Sequence, residues 1–293
     1  MDDVDEGGKR LNRVIRSYHW KNGKQLEVGK RTLVMGILNV TPDSFSDGGK
    51  WNTLDRALFH AEQMIADGAA LIDIGAESSR PGFAPVSAAE ECERLLPFLE
   101  RLLPEIAVPV SIDTFKADTA EAALQAGAEM INDIWGLQYA AEPGRMAAAA
   151  AKYDVPVVAM HNQQGKAYSQ DIIGAMRAFF RETIRIAGQA GVPADHLIFD
   201  PGIGFGKTPE ANLQLLRRLA ELQEIDGETY PWLLGTSRKS FIGAALGLPV
   251  GERMEATGAT CVWGITQGQS IVRVHDVKPV VRMCRMMDAI LEA

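Results

Sequence analysis

Beyond about residue 32 the chain alternates eight times between a short run rich in aliphatic and β-branched residues and a longer amphipathic, alanine-rich stretch. Strands separated by helices cannot pair as hairpins, so the pattern predicts repeated βα units and a parallel sheet. The strand candidates run from Leu33 to Asn39, Ala70 to Ile74, Val108 to Asp113, Met130 to Ile134, Val155 to His161, His196 to Asp200, Trp232 to Ser237 and Ser270 to Val274. They recur about every three dozen residues, the length that one strand, one helix and two loops consume. A length of 293 residues would also serve two ordinary domains, but no linker or change of composition divides the chain. The predicted fold is α/β, a single (β/α)8 TIM barrel over residues 33–293.

Helix signals fall between the strands. Ser87 and Glu90 form a capping-box pair, and Thr208 followed by Pro209 is a second start. Thr53 is a plausible N-cap, with Leu54, Ala57, Leu58, Ala61 and Ile65 on one face and Gly68 as the stop. Residues 1–32 form an N-terminal extension, in which Tyr18 to Trp20 and Leu26 to Val28 flank Asn22-Gly23. That dipeptide favours a tight two-residue turn, so a hairpin is expected to plug the barrel's N-terminal end.

Polar groups collect at the other end of the strands. The runs end at or near Asn39, Asp73 and Glu77, Asp113, Asn132 and Asp133, Met160-His161, Asp200, Ser237-Arg238-Lys239, and Arg273 and His275. A lone Asp or Asn after a strand is often only a turn former. Eight strands delivering such groups to one end point instead to the C-terminal face, where barrel enzymes build their sites. Asp113, Asn132 and Asp200 with Lys239 suit a flat heterocycle bearing several N–H groups and a carbonyl. Arg273, His275 and Arg238, with Asn39 across the closure, could hold a phosphate group. Two polar, glycine-containing loops, Thr41 to Gly49 and Glu77 to Phe83, are long enough to close over a reaction or to be plain surface turns.

Other chemistries find little support. The three cysteines, Cys92, Cys261 and Cys284, are far apart and lack ligand spacing, and the five histidines show no HxxxH pattern, so a protein-held transition metal is not expected. A net charge of -8 argues against a broad nucleic-acid-binding face. No apolar run approaches a membrane span and the first 30 residues read as no secretory signal, so a cytoplasmic location is expected. Residues 200–208 end like a nucleotide-binding P-loop, but Pro201 stands where its leading glycine belongs.

The segments from Gly36 to Gly49, Asp73 to Gly82, Ser111 to Thr114, Ile131 to Ile134, Asp200 to Lys207, Ser237 to Ser240 and Arg273 to Asp276 resemble dihydropteroate synthases in content and order. The resemblance, from about Arg31 to the end, implies condensation of a pterin-methyl pyrophosphate with p-aminobenzoate. It implies a pterin pocket in which Asp113, Asn132, Asp200 and Lys239 hydrogen-bond the ring while Ile134, Met160, Phe205 and Gly235 line its faces. It further implies pyrophosphate held by Asn39, Arg80, Arg273 and His275, with Mg2+ bridging it to Asn39. Phe45, Ser79, Pro81, Ser237 and Arg238 would frame p-aminobenzoate, and Asp47 would stabilise a pterin-methyl cation, with Asp113 and Lys239 as its catalytic companions. Sulfonamides as competitors and a homodimer through the later helices also follow from it. Methyltransferases that move a methyl from tetrahydrofolate to a corrinoid protein share the pterin residues but have no use for the Ser237-Arg238-Lys239 and Arg273-x-His275 pair; a silent pterin-binding protein would be expected to lose loop or anion residues.

The chain departs from the family at Ser79, usually Thr, and Ala76, often Gly. Ser79 keeps the hydroxyl and loses one methyl contact, so Ser79→Thr should leave turnover within about tenfold, at most about 1.4 kcal/mol, in steady-state assays. A hundredfold change in either direction would reject this.

Overall fold

In a computed structural model, described for residues 13–40, 50–77, 86–163, 165, 168 and 171–293, the eight expected strands form one parallel sheet. In chain order these are β3 (Leu33–Asn39), β4 (Leu71–Gly75), β5 (Val110–Asp113), β6 (Met130–Asp133), β7 (Val157–Met160), β8 (Leu197–Asp200), β11 (Leu233–Leu234) and β12 (Ile271–Val274). The spatial order is β11-β12-β3-β4-β5-β6-β7-β8, and a parallel bridge from Phe199 to Trp232 joins the two ends, so the sheet closes into a barrel. A small antiparallel pair, β9 (Glu224–Ile225) and β10 (Glu228–Thr229), is inserted before β11. Helices α1 (Lys50–Ala66), α2 (Ala88–Leu102), α3 (Ala117–Ala126), α4 (Arg145–Tyr153), α5 (Ile172–Ala190), α6 (Pro209–Arg217), α7 (Ser240–Leu246), α8 (Met254–Thr266) and α9 (Val277–Glu292) lie between and after the strands. No described helix is long and apolar enough to cross a membrane.

Side chains alternate across each strand, and the alternation decides what faces where. One parity, including Val34, Leu38, Ile72, Ile74, Ile112, Ile131, Val157, Phe199, Trp232, Leu234, Val272 and Val274, packs outward into the large core beneath the helices. The other parity points inward. Its lower layers are mostly apolar, with Leu33, Met35, Leu71, Met130, Val158, Ile198, Leu233 and Ile271 in a second cluster and Ser111 as the contribution of β5. Its upper layers hold Asp73, Asp113, Asn132, Asp200 and Arg273 at successive alternate positions of the same strands.

The hairpin of β1 (Arg16–His19) and β2 (Gln25–Val28) contributes Tyr18, Leu26 and Val28 to the inner apolar cluster and so closes the bottom of the barrel. Its turn holds three residues rather than two: Trp20 N donates to Lys24 O and Gly23 N donates to Trp20 O, with Gly23 at φ 85°. Asn-Gly suits this longer turn too, because its glycine takes the left-handed position either way. Glu129, 2% exposed, fastens the hairpin by accepting from Asn22 Nδ2 (2.7 Å) and Val110 N (2.8 Å), while Lys24 Nζ lies 2.9 Å away at an angle too poor for a hydrogen bond. Ser87 and Thr208 cap α2 and α6 as expected, accepting from Glu90 N (3.2 Å) and Ala211 N (3.1 Å). Glu90 does not complete the box: its carboxylate binds Arg94, one turn on. Thr53 is not a cap, since α1 begins at Lys50.

Candidate active site

Arg273 stands at the centre of the upper barrel. Its Nε donates to Asp73 Oδ2 at 2.5 Å and its Nη2 to Asp113 Oδ2 at 2.6 Å, and Asn132 Nδ2 donates to the same Asp73 oxygen at 2.9 Å. One guanidinium therefore ties β12 to β4 and β5, with β6 joined through Asn132. Burial works against its charge, but Asp73 and Asp113 outweigh that and its pKa lies above the ordinary value. Burial likewise raises the Asp113 carboxyl against the pull of Arg273, with Asp73 adding like-charge repulsion. The heterocycle and anion pockets read from the sequence are thus not separate: Arg273, expected on an anion, is also a wall of the pocket containing Asp113 and Asn132. Asp73, which sequence reasoning placed on a strand but gave no role, is the acceptor that both depend on.

Beside this cluster, β8 delivers Asp200, 4% exposed, whose Oδ1 accepts from Gly202 N at 2.7 Å. Burial raises its pKa, with Lys239 opposing. Lys239 approaches from the start of α7, donates to Ile203 O and places Nζ 4.7 Å from the centre of the Phe205 ring. Burial pushes its ammonium down to about 8, with Asp200 opposing, Arg273 adding to the fall and Asp113 opposing. Gly235 leaves the space between them open, since a Cβ there would sit 3.6 Å from Asp200 Oδ2 and 3.7 Å from Lys239 Nζ. Ile134, just after β6, and Met160, the last residue of β7, are both buried and on the inward parity.

Lys207, the lysine of the false P-loop, is turned inward and 4% exposed, with Nζ donating to Gly202 O (2.8 Å), Phe205 O (2.9 Å) and His161 Nδ1 (3.1 Å). It is a clamp on the loop that carries Phe205. Burial, then the Lys207 charge, holds His161 well below the ordinary histidine pKa, which leaves its ring neutral and able to accept. Gly202 has φ 66°, and a Cβ there would fall 1.9 Å from His161 O, so this close crossing requires glycine.

At the rim, Asn39 Oδ1 and Asp113 Oδ2 each lie 3.7 Å from the place a Cβ on Gly75 would occupy. Ser237 Oγ lies 2.9 Å from His275 Nδ1. The Arg238 guanidinium is engaged by Asp276, through Nε (2.9 Å) and Nη2 (2.5 Å), on a backbone at φ 56°. Asp133 differs from the sequence expectation: it faces outward and accepts from Trp135 N (2.8 Å) and Leu137 N (2.7 Å), shaping a turn rather than the mouth. Ala76 is 1% exposed in the outer core, on the parity that faces away from the site. Phe45, Asp47, Ser79, Arg80 and Pro81 lie outside the described residues.

A closed parallel barrel with buried carboxylates, an amide and two cations converging at its C-terminal mouth is the geometry against which known proteins can be compared. The Pterin binding enzyme family matches residues 35–275. The dihydropteroate synthase of Bacillus subtilis (strain 168) is 52% identical over 266 residues, 91% of each chain. The chain belongs to the dihydropteroate synthases. A crystal structure of the Clostridium difficile dihydropteroate synthase in the presence of pteroic acid is 50% identical and superposes with a TM-score of 0.86, covering 90% of this chain and 98% of that one. The Xanthomonas albilineans dihydropteroate synthase with 4-aminobenzoic acid is 40% identical, also at 0.86, covering 93% and 97%.

Asp73 makes the sharpest test of how the synthase site is held. Asp73→Asn keeps the shape but removes the charge opposite Arg273, and should lower folding stability by about 2 kcal/mol, read from urea unfolding. A variant as stable as the parent would show that Asp113 alone suffices for Arg273.

Proposed function

We infer that the chain catalyses the dihydropteroate synthase reaction: 6-hydroxymethyl-7,8-dihydropterin pyrophosphate and p-aminobenzoate give 7,8-dihydropteroate and pyrophosphate, in folate biosynthesis. The observation that carries this is the Asp73–Arg273–Asp113 cluster beside Asp200 and Lys239, on a chain about half identical to named synthases. Asp113, Asn132, Asp200 and Lys239 take the pterin edge, where carboxylates and an amide match its N–H groups and carbonyl. Ile134, Met160, Phe205 and Gly235 bound its faces. Asn39, Arg80, Arg273 and His275 take the pyrophosphate, and Phe45, Ser79, Pro81, Ser237 and Arg238 frame p-aminobenzoate. The Arg238–Asp276 pair directs that guanidinium toward orienting the rim.

In the reaction the carbon–oxygen bond breaks with its electron pair leaving on pyrophosphate, and the aniline nitrogen's lone pair then forms the new bond to carbon before losing a proton. No side chain has to act as nucleophile. The carboxylates of Asp113 and Asp200, and of Asp47, favour the positive charge developing on the pterin-methyl carbon, while Arg273 and His275 favour the departing anion; this is preorganised electrostatics.

Magnesium suits this donor set. Among the described residues no cluster of three His, Cys, Asp or Glu could cage a metal. Mg2+ keeps most of its waters and needs few protein ligands, so Asn39 with pyrophosphate oxygens would hold it. When bound it would neutralise leaving-group charge. Sulfonamides would compete at the p-aminobenzoate subsite. A homodimer through the later helices accords with exposed Trp263, Met286 and Ile290 on α8 and α9, and the cytoplasm is the compartment we propose.

The test mixes protein, pterin pyrophosphate, Mg2+ and p-aminobenzoate and follows pyrophosphate release. Asp113→Asn and Lys239→Ala should each lower kcat/KM at least a hundredfold, about 3 kcal/mol, with the fold intact by circular dichroism. Near-parental activity in both would overturn the site assignment.

Lys239 also sets a pH dependence. Its ammonium is lost as pH rises through about 8, so kcat/KM, which reports the free enzyme, should fall above that pH. Residual activity of Lys239→Arg should lack that fall; an identical alkaline limb in both would assign it to another group.

A further inference from the structure

Ser237 and His275 follow the ends of neighbouring strands, β11 and β12, and meet at the rim. Ser237 is 6% exposed. Its Oγ accepts from the backbone N–H of His275 at 3.1 Å and lies 2.9 Å from His275 Nδ1. A hydroxyl already accepting a backbone proton still has one proton of its own to place, and a buried donor left without an acceptor is costly. His275 Nδ1, 2.9 Å away, is placed to accept that proton. A nitrogen that accepts is bare, so in the neutral ring the proton sits on Nε2.

We propose that Ser237 is a positioning residue that fixes His275 as the neutral Nε2–H tautomer, so that the imidazole meets an anionic ligand as an N–H donor. The role rests on the reading of His275 as a pyrophosphate-binding residue, and it differs from direct contact between Ser237 and p-aminobenzoate. An unlocked ring would present a lone pair to the anion for part of the time, which repels it. Outer hydrogen bonds set histidine tautomers in the same way at metal sites, where the partner of one ring nitrogen decides what the other can do. The reverse arrangement, with Nδ1–H donating to Oγ, would give Ser237 two incoming donors and leave its own proton without that acceptor.

The full chain labelled with 15N-histidine, with no ligand and at pH 8, gives the direct reading through long-range proton–nitrogen correlation. Its five histidines are resolved by comparison with His275→Gln. Nδ1 of His275 should have the shift of a bare, accepting nitrogen and Nε2 that of a protonated one. In Ser237→Ala the two shifts should move toward each other, and Ser237→Thr should restore them. A protonated Nδ1 in the parent protein would overturn the proposal without recourse to any variant.

A double-mutant cycle then tests the consequence, with inorganic pyrophosphate and Mg2+ as the calorimetric probe. Ser237→Ala should weaken pyrophosphate about tenfold in the parent and not at all in the His275→Gln background. Equal weakening in both backgrounds would overturn the proposal, because Ser237 would then act on the ligand directly. The expected tautomer in a protein that binds no pyrophosphate would refute the anion role of His275 and leave the lock standing, so the two ideas fail separately.

Discussion

The upper barrel depends on one guanidinium. Arg273 reaches from β12 across the interior to carboxylates on β4 and β5, and the Asn132 amide on β6 closes onto the same oxygen. Burial works against the guanidinium's charge, and the two carboxylates are what hold it at that depth. Such a cluster adds little net stability over a well-packed apolar one, but removing one member strands the others as buried, uncompensated charge. The pair geometry uses the planar fork of arginine, with Nε and Nη2 each reaching a carboxylate on a different strand at 2.5 and 2.6 Å.

Most of this frame was legible in the sequence, for a simple reason. A strand alternates with period two, and a barrel has only an inside and an outside, so Leu71 inward at the floor forces Asp73 inward above it, and Ile271 does the same for Arg273. Strand positions could be read from apolar runs, and with them which polar residues share the mouth. The N-caps at Ser87 and Thr208 were equally local signals. Thr53 misled because a hydroxyl inside a first turn looks the same as one that starts it, and the turn at Asn22-Gly23 misled because two loop lengths use the same dipeptide.

The pairing pattern was less accessible. Composition shows that Arg273 and Arg238 stand near the mouth but not that one is shared by two aspartates while the other is taken by Asp276. Those choices depend on which strand ends face each other across a distance no local pattern encodes. Lys207 is a stronger case: from the sequence it belongs to a failed phosphate loop, and only the crossing of that loop beneath His161 turns its ammonium into a clamp. A signal existed for Asp73 alone, since counting alternate positions from Leu71 would have put it among the site residues.

The apolar lower half explains why so few groups suffice above it. The hairpin carries Tyr18, Leu26 and Val28 under Met35, Met130 and Val158, so the floor beneath the mouth is largely apolar, with Ser111 as a buried polar residue within it. Charges at the mouth therefore work over a largely apolar floor, where a dipole or ion acts more strongly on a ligand than it would in solvent. That environment also raises Asp113 and lowers Lys239, bringing both nearer to neutrality than exposed groups would be. A ligand that supplies N–H donors to the carboxylates and a carbonyl to the ammonium reverses part of that strain. Burial disfavours the charged forms of both groups, and hydrogen bonds from a complementary heterocycle would favour them, which would couple recognition of the ring to readiness of the electrostatic field.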